Sequence, residues 1–231
     1  MSWRALVFLS LLACEPLPPT PPAHRASEQL ITCNASSVRI TSIEHALEVI
    51  NALPKPVDGP CFVAALPRPL KLVASSSVVS AQPSFSRESP RMFLMLDGLV
   101  ATVVPEGDGA RVLEFGQWSS QTRTIKGEID LPVTGALPLD AAYTHVASMR
   151  MGTNCGLCHT AEREEKPGVF SSVAYRPQKR EEISVGALRA QHDACVADGG
   201  VDGACAMFHA LFDFGPVEQG AFSAEIRTFG P

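Results

Sequence analysis

The feature that most constrains the fold is a block of short apolar segments separated by turn residues, between positions 62 and 134. Two apolar segments flank Asp97 and Gly98, a dipeptide typical of the tight turn of a β-hairpin. Between residues 125 and 131 apolar residues alternate with polar ones, including Lys126 and Glu128, which predicts a strand with one buried face. Several short strands joined by Gly, Pro and Asp turns favour an antiparallel sandwich or half-barrel.

Helical periodicity is concentrated on either side of this block. Apolar residues at helical spacing and capping residues predict helices over 43–53, 140–149, 184–198 and 204–214. A short strand over 37–42 is expected before the first of them. The expected fold class is therefore α+β, with a β-rich, antiparallel sandwich-like region over 27–138 and a mainly helical region over 139–231.

The N-terminus is typical of an exported protein. A nine-residue, mostly apolar run ends in the sequence LLAC at residues 11–14, and it is far shorter than the roughly 20 residues of a membrane-spanning helix. This sequence resembles the lipobox of bacterial lipoproteins. The resemblance implies a signal peptide at 1–13, a lipid on Cys14, and sorting to the outer membrane rather than the inner one, since Glu15 follows. The proline-rich segment 14–26 would then be an extended tether on the periplasmic side, and an ordinary secretory leader is the alternative.

The motif with the most chemical content is Cys155-Gly-Leu-Cys158-His159. Two thiols at this spacing can add to the two vinyl groups of one porphyrin edge, and the next residue can offer an imidazole to the iron. The motif resembles the haem-attachment site of c-type cytochromes. The resemblance implies one covalent haem c, thioether bonds from Cys155 and Cys158, and His159 as the proximal iron ligand. Gly152 and Gly156 would let the backbone approach the macrocycle closely.

Two other sites could use the same residues. Both cysteines and His159 could bind zinc with a fourth ligand from elsewhere, although zinc sites of this kind usually include a second closely spaced cysteine pair. The cysteines could also form a thiol–disulfide redox pair, although no βαβ pattern precedes them. These alternatives remain open from the residues alone.

Four of the seven cysteines are left once the lipobox and haem resemblances are applied, namely Cys33, Cys61, Cys195 and Cys205. In an exported protein they are expected to be oxidised. Four cysteines allow three connectivities, and pairing by neighbourhood is the simplest. We therefore predict disulfides between Cys33 and Cys61 and between Cys195 and Cys205.

The ligand on the far side of the iron has several candidates. His192 falls on the apolar face of the helix predicted over 184–198, and Met207 and His209 fall in the next helix. We favour His192, then Met207, and an open sixth position is a further alternative. Cations near the motif that could pair with a haem propionate are Arg150, Arg163, Lys166 and Arg176.

These features predict a lipid-anchored monohaem cytochrome that transfers electrons in the cell envelope, rather than an enzyme. Its expected partners are an unidentified redox protein and, through Cys14, the membrane. The alternatives are a peroxidase-like enzyme with an open sixth position, a haem-based binding or sensor module, and a lipoprotein without haem whose motif holds zinc or a disulfide. The net charge of −5 and the lack of a basic run give no reason to expect a nucleic-acid partner.

Overall fold

The computed structural model describes residues 27–34, 39–77, 80, 82–84, 86–148 and 152–229. The predicted signal peptide (1–13), the tether (14–26) and the lipidation site Cys14 lie outside these ranges. In the part of the chain that is described, no helix is long and apolar enough to cross a membrane.

Strands make up the middle of the chain, and helices lie at both ends. The strands are β1 Leu70–Ser75, β2 Arg91–Leu96, β3 Leu99–Val103, β4 Val112–Ser120, β5 Arg123–Asp130, β6 Arg163–Lys166, β7 Val169–Val173, β8 Tyr175–Arg176, β9 Glu182–Ile183, β10 Val217–Gln219 and β11 Arg227–Thr228. The helices are α1 Glu28–Cys33, α2 Ile43–Ala52, α3 Gly59–Ala64, α4 Ala141–Val146, α5 Val185–Asp198 and α6 Ala204–Phe212.

Nine of the described strands form one mixed sheet. Its spatial order is β10-β1-β2-β3-β4-β5-β7-β6, and β9 also pairs with β1. Only the β1–β10 pair of this sheet is parallel, so a strand near the C-terminus returns to the edge of a sheet that is otherwise antiparallel. Strands β8 and β11 form a separate parallel pair.

The predicted β2–β3 hairpin is confirmed. Leu96 pairs with Leu99 across the two-residue turn, and Gly98 has a φ of 79°, which a residue with a side chain rarely adopts. The helix predicted over 43–53 is also confirmed as α2, and the Ser42 hydroxyl accepts a hydrogen bond from the His45 N–H at its start.

One face of the sheet packs against the helices. Met92, Leu94 and Leu113 on this face are fully buried. At Gly127 the helices come so close that a β-carbon would lie 3.1 Å from Ala142 Cβ in α4 and 3.3 Å from Ile43 Cδ1 in α2. Because successive side chains of a strand point to opposite faces of the sheet, the side chains of the other face point away from these helices.

Two disulfides join neighbouring helices at the two ends of the chain. Cys33 in α1 is bonded to Cys61 in α3, and Cys195 in α5 is bonded to Cys205 in α6. These are the pairs predicted from neighbourhood.

The predicted fold class is wrong. The prediction was a β-rich region followed by a helical, haem-bearing region. In the structure, α1–α3 precede one mixed sheet, and α5–α6 follow the segment that carries the motif. The sheet continues past the motif into β6 and β7. Strand β6 was not predicted, because all four of its residues are exposed at the sheet edge and it has no apolar alternation to detect.

The strand predicted over 37–42 is also not present in the described part of that segment. Residues 37 and 38 lie outside the described ranges, residues 39–42 contain no strand, and Ser42 instead caps α2. The helix predicted over 140–149 is shorter, because α4 ends at Val146.

Candidate functional site

A cavity of about 670 Å³ lies on the face of the sheet opposite the helices. Its floor comes from alternate residues of β2 to β5. Register pairs Phe93 with Thr102, Thr102 with Glu114, and Glu114 with Glu128, so these side chains share one face. Residues of the segment that carries the cysteine motif and of the C-terminal segment complete the wall.

A 3₁₀ turn over Asn154–Leu157 brings the motif to this cavity. The N–H groups of Cys158 and His159 both donate to the Cys155 carbonyl oxygen, at 3.1 and 2.8 Å, so the backbone of the motif forms a compact turn. Cys155, Cys158 and His159 all line the cavity. The structure thus brings together, in one wall, the residues singled out by the motif.

The carboxylate of Glu162 anchors the chain just before the motif. The Thr153 N–H donates to Glu162 Oε2 at 2.9 Å, and the Thr153 hydroxyl donates to the other carboxylate oxygen. A β-carbon at Gly156 would lie 2.6 Å from Glu162 Oε2, and one at Gly152 would also collide with it. The two glycines, expected to admit a macrocycle, therefore make room for this carboxylate.

His159 is held in one tautomer. Its Nδ1 lies 2.8 Å from the Val173 carbonyl oxygen, and because a carbonyl only accepts, Nδ1 carries the proton. Burial, reinforced by the nearby Lys126 ammonium, lowers the pKa of His159 to about 4. The imidazole is thus neutral at pH 7 and its Nε2 is free of hydrogen bonds to any described residue, which is the form that binds a metal.

Lys126 is the unexpected member of the site. It projects from β5 into the cavity, and its Nζ lies 3.3 Å from His159 Nδ1. Burial lowers the pKa of Lys126 to about 8. On the same strand, burial and the neighbouring Glu114 raise the pKa of Glu128, whose Oε1 lies 2.9 Å from His145 Nε2.

The two motif cysteines are free thiols, and the surroundings of Cys155 disfavour its thiolate. Burial raises the pKa of Cys155, whereas redox-active cysteines have lowered values. Among described residues, the one trio of potential ligand atoms that lie within 4.8 Å of one another is His192, His209 and Asp213. The motif residues therefore do not form a comparable ready-made zinc site.

The favoured sixth ligands lie elsewhere. His192 and Met207 are not among the residues that line the cavity. His192 Nε2 is 2.8 Å from Asp213 Oδ1, and Met207 packs beside Gly59, where a β-carbon would lie 3.1 Å from its Cε. Their assignment as iron ligands stays a prediction.

Of the cations considered for a propionate, Arg176 lines the cavity. Arg163 and Lys166 lie on the exposed strand β6, with Lys166 Nζ 3.1 Å from Glu44 Oε1, and Arg150 is outside the described ranges. Sequence reasoning missed several other residues of the cavity wall. They are Arg91, Lys126, Glu128, Trp118, Arg180, Phe222 and Phe229.

The signal that could have revealed part of this set is the alternation in β5, where the polar residues face the cavity instead of bulk water.

No protein-family model, curated protein or solved structure matches the chain. The site is therefore interpreted from its own geometry.

Proposed function

We propose that the chain is an exported monohaem c-type protein that transfers single electrons in the cell envelope. The observation that carries this proposal is the cavity of about 670 Å³ with Cys155, Cys158 and His159 in its wall. Pockets for cofactors usually measure about 300–1,000 Å³ and are mostly apolar with a few polar groups. Bound haem supplies a one-electron ferric/ferrous couple.

The chain's own residues fit the attachment of haem. Cys155 and Cys158 would hold the group through thioether bonds, each formed by adding S–H across a vinyl double bond, which would need no oxidant. Both thiols are free, as this addition requires. His159 would offer Nε2 to the iron, and the Val173 carbonyl, 2.8 Å from Nδ1, would fix the ring and strengthen it as a ligand.

The rest of the cavity wall also suits an amphipathic macrocycle. Phe93, Trp118 and Phe222 provide apolar contact, while Arg176 and Arg180 offer cations to propionate groups. These cationic and aromatic side chains come from different elements of the fold and share this cavity.

A second candidate function is the binding of a small external ligand at the iron. It is favoured by one observation, that neither His192 nor Met207 lies in the cavity wall. A protein whose sixth position is open would be a sensor or a ligand-binding module rather than a simple carrier.

Export and anchoring belong to the same proposal. The two disulfides support an oxidising compartment, where c-type haem is also attached. We place the protein on the periplasmic side of the envelope, tethered by lipid on Cys14 to the outer membrane, with a redox protein as partner. Metabolic labelling with radioactive palmitate tests the anchor, and Cys14→Ser is expected to remove the label.

The central experiment is expression with c-type haem-maturation machinery, followed by haem staining of a denaturing gel and by optical spectra. Wild type is expected to keep haem through denaturation, and Cys155→Ser with Cys158→Ser to lose it. The matched control, Cys195→Ser with Cys205→Ser, removes two cysteines elsewhere and is expected to stain normally. Unstained wild type, or a stained Cys155/Cys158 double variant, would refute the proposal.

The two candidate functions are then separated on the matured protein. An electron carrier is expected to give sharp reduced α and β bands and no change with carbon monoxide. A high-spin spectrum that shifts with carbon monoxide would assign the ligand-binding role. His192→Ala and Met207→Ala show whether either residue supplies the sixth ligand, because replacing that ligand would alter the low-spin bands.

A further inference from the structure

A second polar cluster lies between α5 and α6 and shares no residue with the cavity. His192 Nε2 is 2.8 Å from Asp213 Oδ1, and His209 Nδ1 is 2.8 Å from Asp213 Oδ2. The three candidate ligand atoms all lie within 4.8 Å of one another. His209 is fully buried and His192 is only 9% exposed, whereas Asp213 is exposed, so two buried imidazoles meet one carboxylate at the edge of the interior.

The outward nitrogen of each imidazole meets an oxygen that only accepts hydrogen bonds. His209 Nε2 is 3.0 Å from the Gly200 carbonyl oxygen, and His192 Nδ1 is 3.1 Å from an Asp193 carboxylate oxygen. Each ring thus has both nitrogens within hydrogen-bond distance of an oxygen that only accepts, and a neutral imidazole has one proton to donate. When that proton is on the outward nitrogen, the inward nitrogens, His209 Nδ1 and His192 Nε2, direct their lone pairs at the Asp213 carboxylate.

Lone pairs facing a carboxylate repel it unless something positive lies between them. A metal cation between the three side chains supplies that positive charge. Proteins that bind metals through histidine routinely place a backbone carbonyl or a carboxylate on the far nitrogen, because this fixes the tautomer and the ring orientation. Gly200 and Asp193 provide one acceptor of each kind.

We propose that His192, His209 and Asp213 bind one divalent transition-metal ion, with zinc the best match. Two imidazoles and one carboxylate are a common zinc ligand set, and bonds of about 2.0–2.2 Å in a tetrahedron place ligand atoms about 3.3 Å apart. The two contacts of 2.8 Å, each to a different oxygen of Asp213, are shorter than this spacing, and all three candidate ligand atoms lie within 4.8 Å of one another. Calcium and magnesium prefer sets made of oxygen ligands alone.

The surroundings favour a preformed site with one open position. The Cys195–Cys205 disulfide closes the segment that joins the two helices, and it packs so closely on Gly200 that a β-carbon there would lie 2.9 Å from Cys205 Sγ. The Asp213 side chain is 21% exposed, which gives solvent access for the ion and for a water as its fourth ligand.

The test uses the full chain, matured with haem, purified without a histidine tag and dialysed against EDTA. Zinc chloride is titrated calorimetrically, and bound zinc and iron are counted by mass spectrometry. Wild type is expected to bind one zinc per chain, and Asp213→Ala to bind none. Asp193→Asn, whose side chain is 68% exposed and hardly disturbs packing, is expected to weaken binding about 10–100-fold. His45→Gln on α2 is the matched control and is expected to bind as wild type.

The zinc and iron counts report on different sites, so failure of the haem proposal leaves this one testable. Circular dichroism of each variant checks that the fold is kept. A wild type that binds no zinc would overturn the inference and leave the cluster as a hydrogen-bonded group. Equal affinity in wild type, Asp213→Ala and Asp193→Asn would overturn it as well, by placing the zinc elsewhere.

Discussion

Replacing Lys126 with methionine tests how strongly the cavity disfavours charge. Burial lowers the pKa of this lysine from 10.5 to about 8 in the folded chain. At 1.36 kcal/mol per pH unit, that gap corresponds to about 3 kcal/mol. Because the folded pKa is the lower one, the unfolded chain binds more protons between pH 8 and 10.5, so the folded state gains stability as pH rises through that window.

The measurement is urea unfolding at pH 7 and pH 11, in a chain carrying Cys155→Ser and Cys158→Ser so that haem and free thiols do not interfere. Relative to the parent chain, Lys126→Met is expected to have its largest advantage in free energy of unfolding at pH 7. This advantage is expected to shrink by up to about 3 kcal/mol at pH 11. Lys71→Met is the control, since that side chain is 60% exposed and its amine contacts water in both states. An advantage for Lys126→Met that is the same at both pH values would refute the reasoning.

Three further predictions concern residues that support the motif, the α5–α6 pair and the sheet. Glu162→Ala removes the anchor of the motif, so we expect a loss of about 2 kcal/mol and less haem attached per chain, measured by haem staining against total protein. Cys195→Ala with Cys205→Ala opens a loop of sequence separation 10, with an expected loss of about 3 kcal/mol in urea unfolding. Gly127→Val forces a side chain against α4, with an expected loss of about 1–3 kcal/mol in thermal melts, whereas Gly135→Ala, with nothing within 4 Å, is expected to melt as wild type.

The parts of the fold that were predictable are those where the pattern is strong and local. The β2–β3 hairpin follows from the Asp97-Gly98 turn between apolar segments, and α2 follows from an apolar stripe with a serine cap. Strand β6 could not be found, because all its residues are exposed. Helix α3 could not be found either, because six residues are too few to show a period, and its start depends on Asp58 accepting a hydrogen bond from the Cys61 N–H.

In the candidate site, too, local patterns were predictable and contacts between distant parts of the chain were not. Cys155, Cys158 and His159 are recognisable because their chemistry requires residues adjacent in the chain. The polar residues of β5, among them Lys126, looked like a solvated face because alternation separates the two faces of a strand but does not say what covers each. His192 was correctly placed on the inner face of its helix, yet its partner Asp213 lies 21 residues further along the chain, and no periodicity links the two.

Burial gives the motif a chemical preference of its own. It lowers the pKa of His159 and raises that of Cys155, so both groups favour their neutral forms. Zinc binding and thiol–disulfide exchange both use thiolate, a charged sulfur that burial penalises. A thioether is neutral and a ligating imidazole is neutral, so the burial of Cys155 and His159 supports our proposal that this motif attaches haem.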